Sequence, residues 1–497
     1  MLDLITVIID FVLWLLQFIV IIVDILACIV VVFLERRSPQ TAIAWILLMI
    51  LIPIIGFILY LFFGRHLYGA HIFNKKTEAD LKMMQIAKAQ YKTITDGGKL
   101  TLPGDLAWCD ATIALLLNQD NSVLLNNNNI TVYTDGEEIF AAIKEAIAGA
   151  KHHIHMEYFI IRDDQLGNEI MALLTKKALA GIRVRVIFDA AGTVSIHKKF
   201  FAPLKKAGGD VRIFFPLKIP FLNTRVHFRN HRKILVIDGK TGFIGGFNIG
   251  DEYLGKGPLG YWRDTHLRIY GRAVNALQNR FIMDWNYAAK EAGISIEAHA
   301  SPYYPTKGVM DVMGASNVQI ASSGPDSDGK AIYSGYMSLI GHARKSIYIH
   351  TPYFIPDEPM FTELLLAARS GIDVRIVIPS KPDHLFVYWA NHSYLGDLIK
   401  AGVRGYTYND GFIHSKTGIF DGMATTVGTA NWDIRSFKLN FETNAFVYDA
   451  EFGKKMNEIF LAELETNCTE ITLDEYNKRS VTIRIKEGIS RLFSAIL

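Results

Sequence analysis

The sequence predicts a duplicated α/β protein that is attached to a membrane by an N-terminal helical hairpin. Three features support this prediction: two long apolar segments near the N-terminus, β-rich runs that alternate with helical ones after residue 129, and a His-x-Lys-x4-Asp motif in each half of that region. Alternating strands and helices are typical of α/β units around a buried sheet. At 497 residues the chain is also too long for one ordinary core.

The apolar segments span residues 4–33 and 42–63. Each exceeds the roughly 20 residues that a helix needs to cross a bilayer. Only LERRSPQT separates them, so we expect a hairpin over residues 1–66 with both ends on one side of the membrane. Basic residues are more numerous after the second segment than in the linking loop, which favours a cytoplasmic C-terminal part.

Polar residues recur every seven positions in the first segment, at Asp3, Asp10, Gln17 and Asp24. Carboxylates are costly in hydrocarbon, so this stripe is expected to meet protein or the membrane interface. A self-association face that makes a homo-oligomer, pairing with the second helix, and an interfacial position for residues 1–10 all remain open.

Composition excludes several classes of protein. The net charge is only +3, so no overall field favours nucleic acid as a partner. The three cysteines, Cys28, Cys109 and Cys468, are far apart and form no CxxC pair, which argues against a disulfide framework or a zinc site.

The remainder of the chain divides by pattern. Fragments return in the same order, with YFI at 158–160 and 353–355, and AGIRVRVI at 180–187 matched by SGIDVRIV at 370–377. This order indicates an internal duplication. A helix is expected in TEADLKMMQIAKAQYKTI, and the run NNNN at 126–129 is expected to be a loop at a domain boundary. The predicted divisions are a polar connector at 67–129, a first domain at 130–300, a second domain at 301–477 and a tail at 478–497.

The repeated motif supplies the candidate site. Its members are His231, Lys233 and Asp238 in the first half, and His414, Lys416 and Asp421 in the second. On a strand, residues i and i+2 share a face, so each His and its Lys should point the same way. Asp-Gly favours a tight hairpin turn. The return strand should then bring back Asn248 or Asn431, which lies 17 residues past its His.

Aligning the halves past the motif places Asp264 over Glu442. Each carboxylate could accept the Nδ1 proton of a catalytic imidazole and fix its tautomer. A surface or structural ion pair is the competing interpretation. Glu252 and Glu157 are weaker candidates for the same role.

Two imidazoles, two ammonium groups and two amides suit a phosphate ester. The Lys and Asn side chains can surround the phosphate and balance its charge. One His can attack phosphorus, while the other protonates the leaving alkoxide and then deprotonates the incoming alcohol. This chemistry needs no metal or cofactor. We expect Asp238 and Asp421, at the turns, to support the hairpins.

Paired HxKxxxxD motifs resemble the phospholipase D superfamily. With the N-terminal hairpin and the stretches GGFNIGDEYLG and VGTANWDIRS, the chain is similar to bacterial phospholipase D-type cardiolipin synthases. The resemblance implies two phospholipase D-like α/β/α sandwich domains, with the active site at their interface, on the bacterial cell membrane. It implies phosphatidyl transfer between two phosphatidylglycerol molecules, giving cardiolipin and glycerol. It also assigns catalytic roles to both His-Lys-Asp sets, with His231 favoured as nucleophile and His414 as acid and base.

Three alternatives remain at this stage. A phospholipid hydrolase would use the same site with water as the second nucleophile. A nuclease would use the same motifs, although the apolar hairpin and modest charge argue against nucleic acid. A non-enzymatic scaffold is disfavoured because both motifs are intact.

The tail carries an amphipathic pattern. Val481, Ile485, Ile489, Leu492, Phe493 and Ile496 share one helical face, with basic residues elsewhere. Such a helix could lie on anionic lipid or dock on the catalytic domain. We favour docking, because Gly488 weakens the helix.

Overall fold

The structure is a computed structural model that describes residues 2–30, 39–60, 78–98, 102–193, 196, 199–215, 228–289, 301–305, 314–325 and 330–494. The chain divides into two compact units, one formed by 1–72 with 218–227 and the other by 73–217 with 228–497. Both copies of the repeated motif therefore lie in one unit.

The N-terminal unit contains α1 Leu2–Ile29, α2 Pro39–Leu51 and α3 Pro53–Leu59. The span Ile5–Ile29 is long and apolar enough to cross a membrane, with a mean hydropathy of 2.8. The expectation of one continuous second helix is wrong. Ile52 leaves the helical region at φ −137° and ψ 72°, and Pro53 then starts α3. A residue before proline is pushed out of the α region, and proline has no N–H to donate.

The polar stripe of α1 meets the second segment at one position. Asp24 is buried, and it lines a cavity with Met49 and Pro53 from the second segment. Asp10 and Gln17 are exposed, and the side chain of Asp3 lies outside the described residues. Contact with the second segment therefore explains the burial of Asp24, but it does not extend to Asp10 and Gln17.

The larger unit begins with α4 Glu78–Thr95, a 3-10 turn at Gly104–Cys109, and α5 Asp110–Asp120. The predicted helix in the connector is confirmed by α4. The description of residues 67–129 as only a polar connector is wrong, because Ile113 and Leu116 of α5 are fully buried in the same core cluster as α10 of the second half (defined below).

The two halves contain the same series of elements. The first half comprises β1 Leu125–Tyr133, α6 Gly136–Gly149, β2 His153–Tyr158, α7 Gln165–Leu179, β3 Arg183–Asp189, α8 Ala202–Lys206, β4 Asp210–Phe214, β5 Arg229–Asn230, β6 Ile234–Ile237, β7 Thr241–Gly245, β8 Tyr261–Arg263, β9 His266–Gly271 and α9 Val274–Ala289. The second comprises β10 Ser316–Ser323, α10 Ala331–His342, β11 Ser346–His350, β12 Phe354–Ile355, α11 Glu358–Arg369, β13 Asp373–Pro379, α12 Leu385–Ile399, β14 Arg404–Tyr408, β15 Gly411–Ile413, β16 Thr417–Phe420, β17 Ala424–Gly428, β18 Trp432–Asp433, α13 Ile434–Lys438, β19 Asn440–Tyr448, α14 Ala450–Asn467, β20 Cys468–Ile471, α15 Leu473–Lys478 and α16 Val481–Leu492.

A single sheet runs through both halves of the described chain, in the order β20-β14-β13-β11-β16-β17-β19-β10-β1-β9-β7-β6-β2-β3-β4. The antiparallel pair β1–β10 joins the halves, and the strand order is the same when read outward from this pair in either direction. The duplicated α/β architecture is thus confirmed.

Helices cover both faces of the sheet. Along β6, Leu235 and Ile237 join a core cluster with α6 and α7, whereas Ile234 and Val236 join a different cluster with α9 and α14. Successive strand residues point to opposite faces, so this alternation gives each half an α/β/α sandwich.

The run NNNN is not a loop, contrary to the expectation, because residues 126–129 lie inside β1. The strand has an irregular register between Leu125 and Asn128, and Asn127 has a positive φ of 58°. The Asn128 amide donates to the carbonyls of Leu125 and Ser316 and accepts from the Ala273 N–H. Side-chain hydrogen bonds therefore replace the ladder bonds that an asparagine-rich bulge would otherwise lose.

Candidate active site

The predicted hairpins are present in both halves. The Lys240 N–H donates to the Ile237 carbonyl across Asp238 and Gly239, and the Met423 N–H donates to Phe420 across Asp421 and Gly422. All four central residues have positive φ, between 53° and 65°, as a type I′ turn requires.

The turn aspartates bind backbone amides. The Asp238 carboxylate accepts from the N–H groups of Lys151, His152 and His153 at 2.8–2.9 Å. Asp421 accepts in the same way from Arg344, Lys345 and Ser346. Each aspartate thereby fixes the start of a neighbouring strand, β2 or β11, which agrees with the expected support of the hairpin.

The His-x-Lys segments do not lie on strands, contrary to the expectation. His231–Lys233 connects β5 to β6, and His414–Lys416 connects β15 to β16. Each Lys side chain nevertheless turns back to its His residue: Lys233 Nζ donates to the His231 carbonyl at 2.8 Å, and Lys416 Nζ lies 2.8 Å from His414 Nδ1.

Each histidine segment pairs with a strand of the opposite half. β5 of the first half runs parallel to β19 of the second, and the His231 N–H donates to the Phe441 carbonyl at 2.9 Å. β15 of the second half runs parallel to β8 of the first, and the His414 N–H donates to the Arg263 carbonyl at 2.7 Å. In both cases the next residue in the partner segment is an acid, on β19 itself in one half and directly after β8 in the other.

These two acids are Glu442 and Asp264. His231 Nδ1 lies 3.0 Å from Glu442 Oε2, and His414 Nδ1 lies 2.6 Å from Asp264 Oδ2. The carboxylates are fully buried, whereas the imidazoles keep 11% and 8% of their side-chain surface exposed. The two acids lie at aligned positions of the repeat, as the sequence indicated. Each acid contacts the histidine of the other half. With Nδ1 occupied, Nε2 is the nitrogen of each ring that remains for chemistry.

The backbone of Gly246 lies very close to the carboxylate of Asp264, which explains why this position is a glycine. A Cβ on Gly246 would lie 2.0 Å from Asp264 Oδ1. Only glycine leaves room there for the carboxylate that contacts His414.

Burial lowers the pKa of both imidazoles and so favours their neutral forms. It lowers the pKa of His231, although Glu442 opposes the shift. Burial, followed by the charges of Lys416 and Lys233, lowers the pKa of His414 well below its usual value. Burial alone would raise the pKa of Glu442, but the contact with His231 and the charge of Lys233 hold it below its usual value. For His231 and Glu442 these shifts favour a neutral imidazole beside an ionised carboxylate, which is the state that a nucleophile requires. Burial raises the pKa of Asp264, the partner of His414, while the charge of Lys416 opposes that shift.

The lysines couple the two halves electrostatically. Burial and then the charge of Lys416 lower the pKa of Lys233 to about 7. Burial lowers the pKa of Lys416 to about 8, with Asp264 as the main opposing influence. Two cations this close are costly without an anion between them, so the site is suited to bind one.

The asparagines are linked to the site indirectly. Asn248 Nδ2 donates to the Tyr253 hydroxyl at 3.0 Å, and that hydroxyl lies 3.2 Å from His414 Nδ1. Asn248 therefore reaches the histidine of the other half rather than its own. Asn431 Nδ2 donates to Asp433 Oδ2, while its buried Oδ1 has no hydrogen-bond partner. Each amide nitrogen keeps a second proton for a ligand.

The weaker acid candidates lie in other pairs. Glu252 bonds Arg162, and Glu157 accepts from Asn230 Nδ2. Burial, followed by the charge of Asp284, raises the pKa of Glu157 well above its usual value. In the described part of the chain, no group of three or more His, Cys, Asp or Glu side chains could hold a metal ion.

Aromatic neighbours of the site were not expected from the sequence. The ring of Phe159 stands edge-on to His231 at 5.0 Å, and Trp262 lies 5.2 Å from His414. Tyr253 was also missed, because the position five residues past Asn431 is Ser436 and the duplication therefore gave no matching signal. The stretch DEYLG directly after GGFNIG was the available clue.

Comparisons with known proteins show the family to which the chain belongs. A family model described as cardiolipin synthase, PLD-like domain, matches residues 143–285 and 336–464, and one described as phospholipase D-nuclease N-terminal matches residues 22–65. The chain is 45% identical over 478 residues to the major cardiolipin synthase ClsA of Bacillus subtilis (strain 168), covering 96% of this chain and 98% of that protein. It is 44% identical over 480 residues to the cardiolipin synthase of Listeria monocytogenes serotype 4a, covering 96% and 98%.

A solved structure supports the fold. The phosphatidylserine synthase of Haemophilus influenzae Rd KW20 superposes with a TM-score of 0.59 at 15% identity, covering 78% of this chain and all of that one. At this identity the likeness concerns the arrangement of helices and strands.

Proposed function

Because the chain belongs to the bacterial cardiolipin synthase family of the phospholipase D superfamily, we propose that its two motifs transfer a phosphatidyl group from one phosphatidylglycerol molecule to another. The products are cardiolipin and glycerol. The observation that carries the proposal is the exchange of acids between the halves: two imidazoles, each held at Nδ1 by a buried carboxylate, share one site with two ammonium groups.

In the first step, His231 Nε2 attacks phosphorus of a bound phosphatidylglycerol and forms a P–N bond. The P–O bond to the head-group glycerol breaks, and His414 gives its Nε2 proton to the departing alkoxide. The phosphodiester anion supplies the negative charge that favours a protonated His414. Lys233 and Lys416, with the second amide protons of Asn248 and Asn431, balance charge on the phosphoryl oxygens.

In the second step, a head-group hydroxyl of another phosphatidylglycerol gives its proton to His414 Nε2 and attacks phosphorus. The P–N bond breaks, His231 leaves as a neutral imidazole and cardiolipin is released. If water takes the place of the hydroxyl, the product is phosphatidic acid, which is the hydrolase alternative. The rings of Phe159 and Trp262 contact the two imidazoles, reduce the imidazole surface that is exposed to solvent and limit the access of water.

The test uses purified full-length protein in phosphatidylglycerol micelles without added metal, with products resolved by mass spectrometry. We expect cardiolipin and glycerol, lost in His231→Ala and in His414→Ala. The matched control is His342→Ala, since His342 lies on α10 and bonds the Ser338 carbonyl. Phosphatidic acid as the main product would contradict the transferase assignment.

A substrate analogue distinguishes the two histidines. A phosphatidyl ester of p-nitrophenol has a leaving group that needs no proton, so the first step no longer depends on the acid. His414→Ala should then release p-nitrophenol once and accumulate a phosphatidyl adduct on His231. The assignment would be reversed if His231→Ala accumulated an adduct on His414 and His414→Ala accumulated none on His231.

The long apolar helix α1 attaches the protein to the membrane. We propose that the second segment completes a hairpin and that the catalytic unit is cytoplasmic. Basic residues support this, since Arg65, Lys75, Lys76 and Lys82 follow the second segment whereas Arg36 and Arg37 lie in the loop. A C-terminal fusion to a reporter that is active only in the cytoplasm should be active in cells. Activity of an exported reporter instead would overturn this orientation.

A further inference from the structure

The C-terminal helix α16 is attached to the catalytic unit by its polar face. Glu487 and Ser490 are buried, and Glu487 accepts from Arg479 Nε at 2.8 Å. Arg491 pairs with Asp397 of α12, and the Tyr394 hydroxyl of the same helix bonds Ser494 at 3.1 Å. The expected docking on the catalytic domain therefore occurs, but not through the apolar residues.

The apolar face of α16 points outward. Val481, Ile485, Ile489 and Leu492 are 70%, 56%, 46% and 82% exposed. Ile496, which the sequence placed on the same face, lies outside the described residues. At about 100° per residue, the exposed set is centred roughly 175° from the buried set. An amphipathic helix normally buries its apolar stripe, so this orientation is inverted.

The start of α12 extends this surface. Leu385 and Phe386 are 65% and 52% exposed, and the Phe386 ring lies 5.9 Å from Phe493 at the end of α16. We call the six residues Val481, Ile485, Ile489, Leu492, Leu385 and Phe386 the tail patch. A contiguous apolar surface of this kind on a folded unit marks an interaction site.

Positive charge flanks the tail patch. Arg484 and Lys486 are exposed on the two sides of the apolar face, and Lys486 Nζ lies 5.0 Å from the centre of the Trp389 ring. Basic residues at the edges of an apolar helical face fit the boundary between anionic headgroups and acyl chains.

The residue that precedes α12 by two positions interacts with the second motif. Asp383 lies two residues before Leu385; its carboxylate bonds the Tyr353 hydroxyl, and its charge raises the pKa of Lys416. The chain segment that carries Leu385 and Phe386 is therefore connected to the surroundings of Lys416 through Asp383.

We propose that the tail patch is a docking surface for an anionic lipid bilayer, and that α16 lies in the headgroup layer with its apolar face towards the acyl chains. Charge and continuity with the site select this occupant over a second copy of the chain. Docking would hold the second motif next to the bilayer, independently of the anchor supplied by α1.

The test measures the depth of α16 in full-length protein that carries His414→Ala, so that no turnover is needed. An environment-sensitive fluorophore is attached at Leu492→Cys in a background of Cys28→Ala and Cys468→Ala, with one protein per nanodisc. In phosphatidylglycerol-rich discs we expect blue-shifted emission and at least a twofold quenching by doxyl-labelled lipid. In phosphatidylcholine discs both effects should weaken.

The matched control is a label at Leu366→Cys, since Leu366 is 51% exposed on α11 and outside the tail patch. It should remain unquenched. Equal quenching at both positions, or no quenching at Leu492→Cys, would overturn the proposal. A signal that appears only with two proteins per disc would also overturn it, because the patch would then be an interface between copies.

A second variant separates docking from catalysis. Ile485→Ser with Ile489→Ser and Leu492→Ser removes exposed apolar surface without disturbing a core. We expect the KM for phosphatidylglycerol in vesicles to rise about tenfold, with turnover of short-chain monomeric phosphatidylglycerol unchanged. Leu179→Ser, at another exposed leucine, should change neither. An unchanged vesicle KM in the triple variant would refute the docking role. Quenching at Leu492→Cys together with no lipid turnover by the protein that retains His414 would instead refute the proposed function.

Discussion

Replacing Glu442 by glutamine removes a charge from the site and keeps the shape of the side chain. Glu442 stands 3.0 Å from His231 Nδ1, on a strand of the other half. When His231 carries the phosphatidyl group its ring is positively charged. At this distance and an effective dielectric constant of about 20, the attraction between ring and carboxylate is about 5 kcal/mol. The glutamine carbonyl can still accept the Nδ1 proton, so we take roughly 3 kcal/mol as the loss. This corresponds to about a 100-fold fall in kcat.

The assay compares kcat and KM for phosphatidylglycerol in the wild type and in Glu442→Gln, with rapid quenching to follow the covalent adduct. Because Glu442 is buried behind the imidazole, KM should change less than twofold while adduct formation slows. Asp449→Asn is the matched control, since Asp449 caps α14 through the N–H groups of Glu451 and Phe452 and should leave kcat unchanged. A kcat for Glu442→Gln within threefold of wild type would show that the carboxylate does not support the nucleophile.

Three further predictions concern groups around the histidines. Asp238→Ala and Asp421→Ala each leave three backbone N–H groups without their acceptor. Each change should lower the free energy of unfolding by about 2–3 kcal/mol and the Tm by several degrees in a thermal melt. A large fall in kcat with Tm unchanged would instead favour a catalytic role. Lys233 and Lys416 are charged only below their pKa values of about 7 and 8, so KM for phosphatidylglycerol should rise as the pH is raised from 7 to 9, and a flat profile would contradict this. Tyr253→Phe removes one hydroxyl beside His414 and should lower kcat about 3- to 10-fold without changing the product, whereas a kcat equal to wild type would assign Tyr253 to packing alone.

Much of the site could be predicted because the internal duplication allows each position in one half to be compared with its counterpart in the other. The Asp-Gly turns follow from residue chemistry, since two residues with positive φ are needed and Gly239 and Gly422 adopt that conformation without strain. The alignment of Asp264 with Glu442 needed only the spacing of the repeat.

The exchange of acids between the halves could not be predicted in this way. Periodicity along a strand relates neighbours in one segment, whereas the partners of His231 and His414 are set by the pairing of β5 with β19 and of β15 with β8. These pairs join residues about 150–210 positions apart, and no local pattern encodes them. The strands β5, β8 and β15 are also too short to be recognised from a sequence pattern.

Local rules failed where tertiary contacts took over. Asn128 was assigned to a loop by composition, yet its amide makes three hydrogen bonds that hold it within β1. The face of α16 that docks could not be chosen from its amphipathic pattern, because the contacts with α12 are made by the polar face, as in the Arg491–Asp397 pair. The break in the second apolar segment, by contrast, follows from a local rule, because Pro53 cannot continue a helix without losing a backbone hydrogen bond.

The exchanged acids have a further consequence. A contact in which each half gives the other the same group is the contact made by a two-fold symmetric dimer, where residue i meets j and j meets i. In such a dimer of identical halves, the two histidines would have identical neighbours, so either could act as the nucleophile and neither could be adapted to one role. Joining the halves in one chain removes that constraint. Tyr253 and Trp262 now adjoin His414, whereas Phe159 and the Thr429 carbonyl adjoin His231. Covalent fusion thus allows one imidazole to specialise in bonding to phosphorus and the other in moving protons.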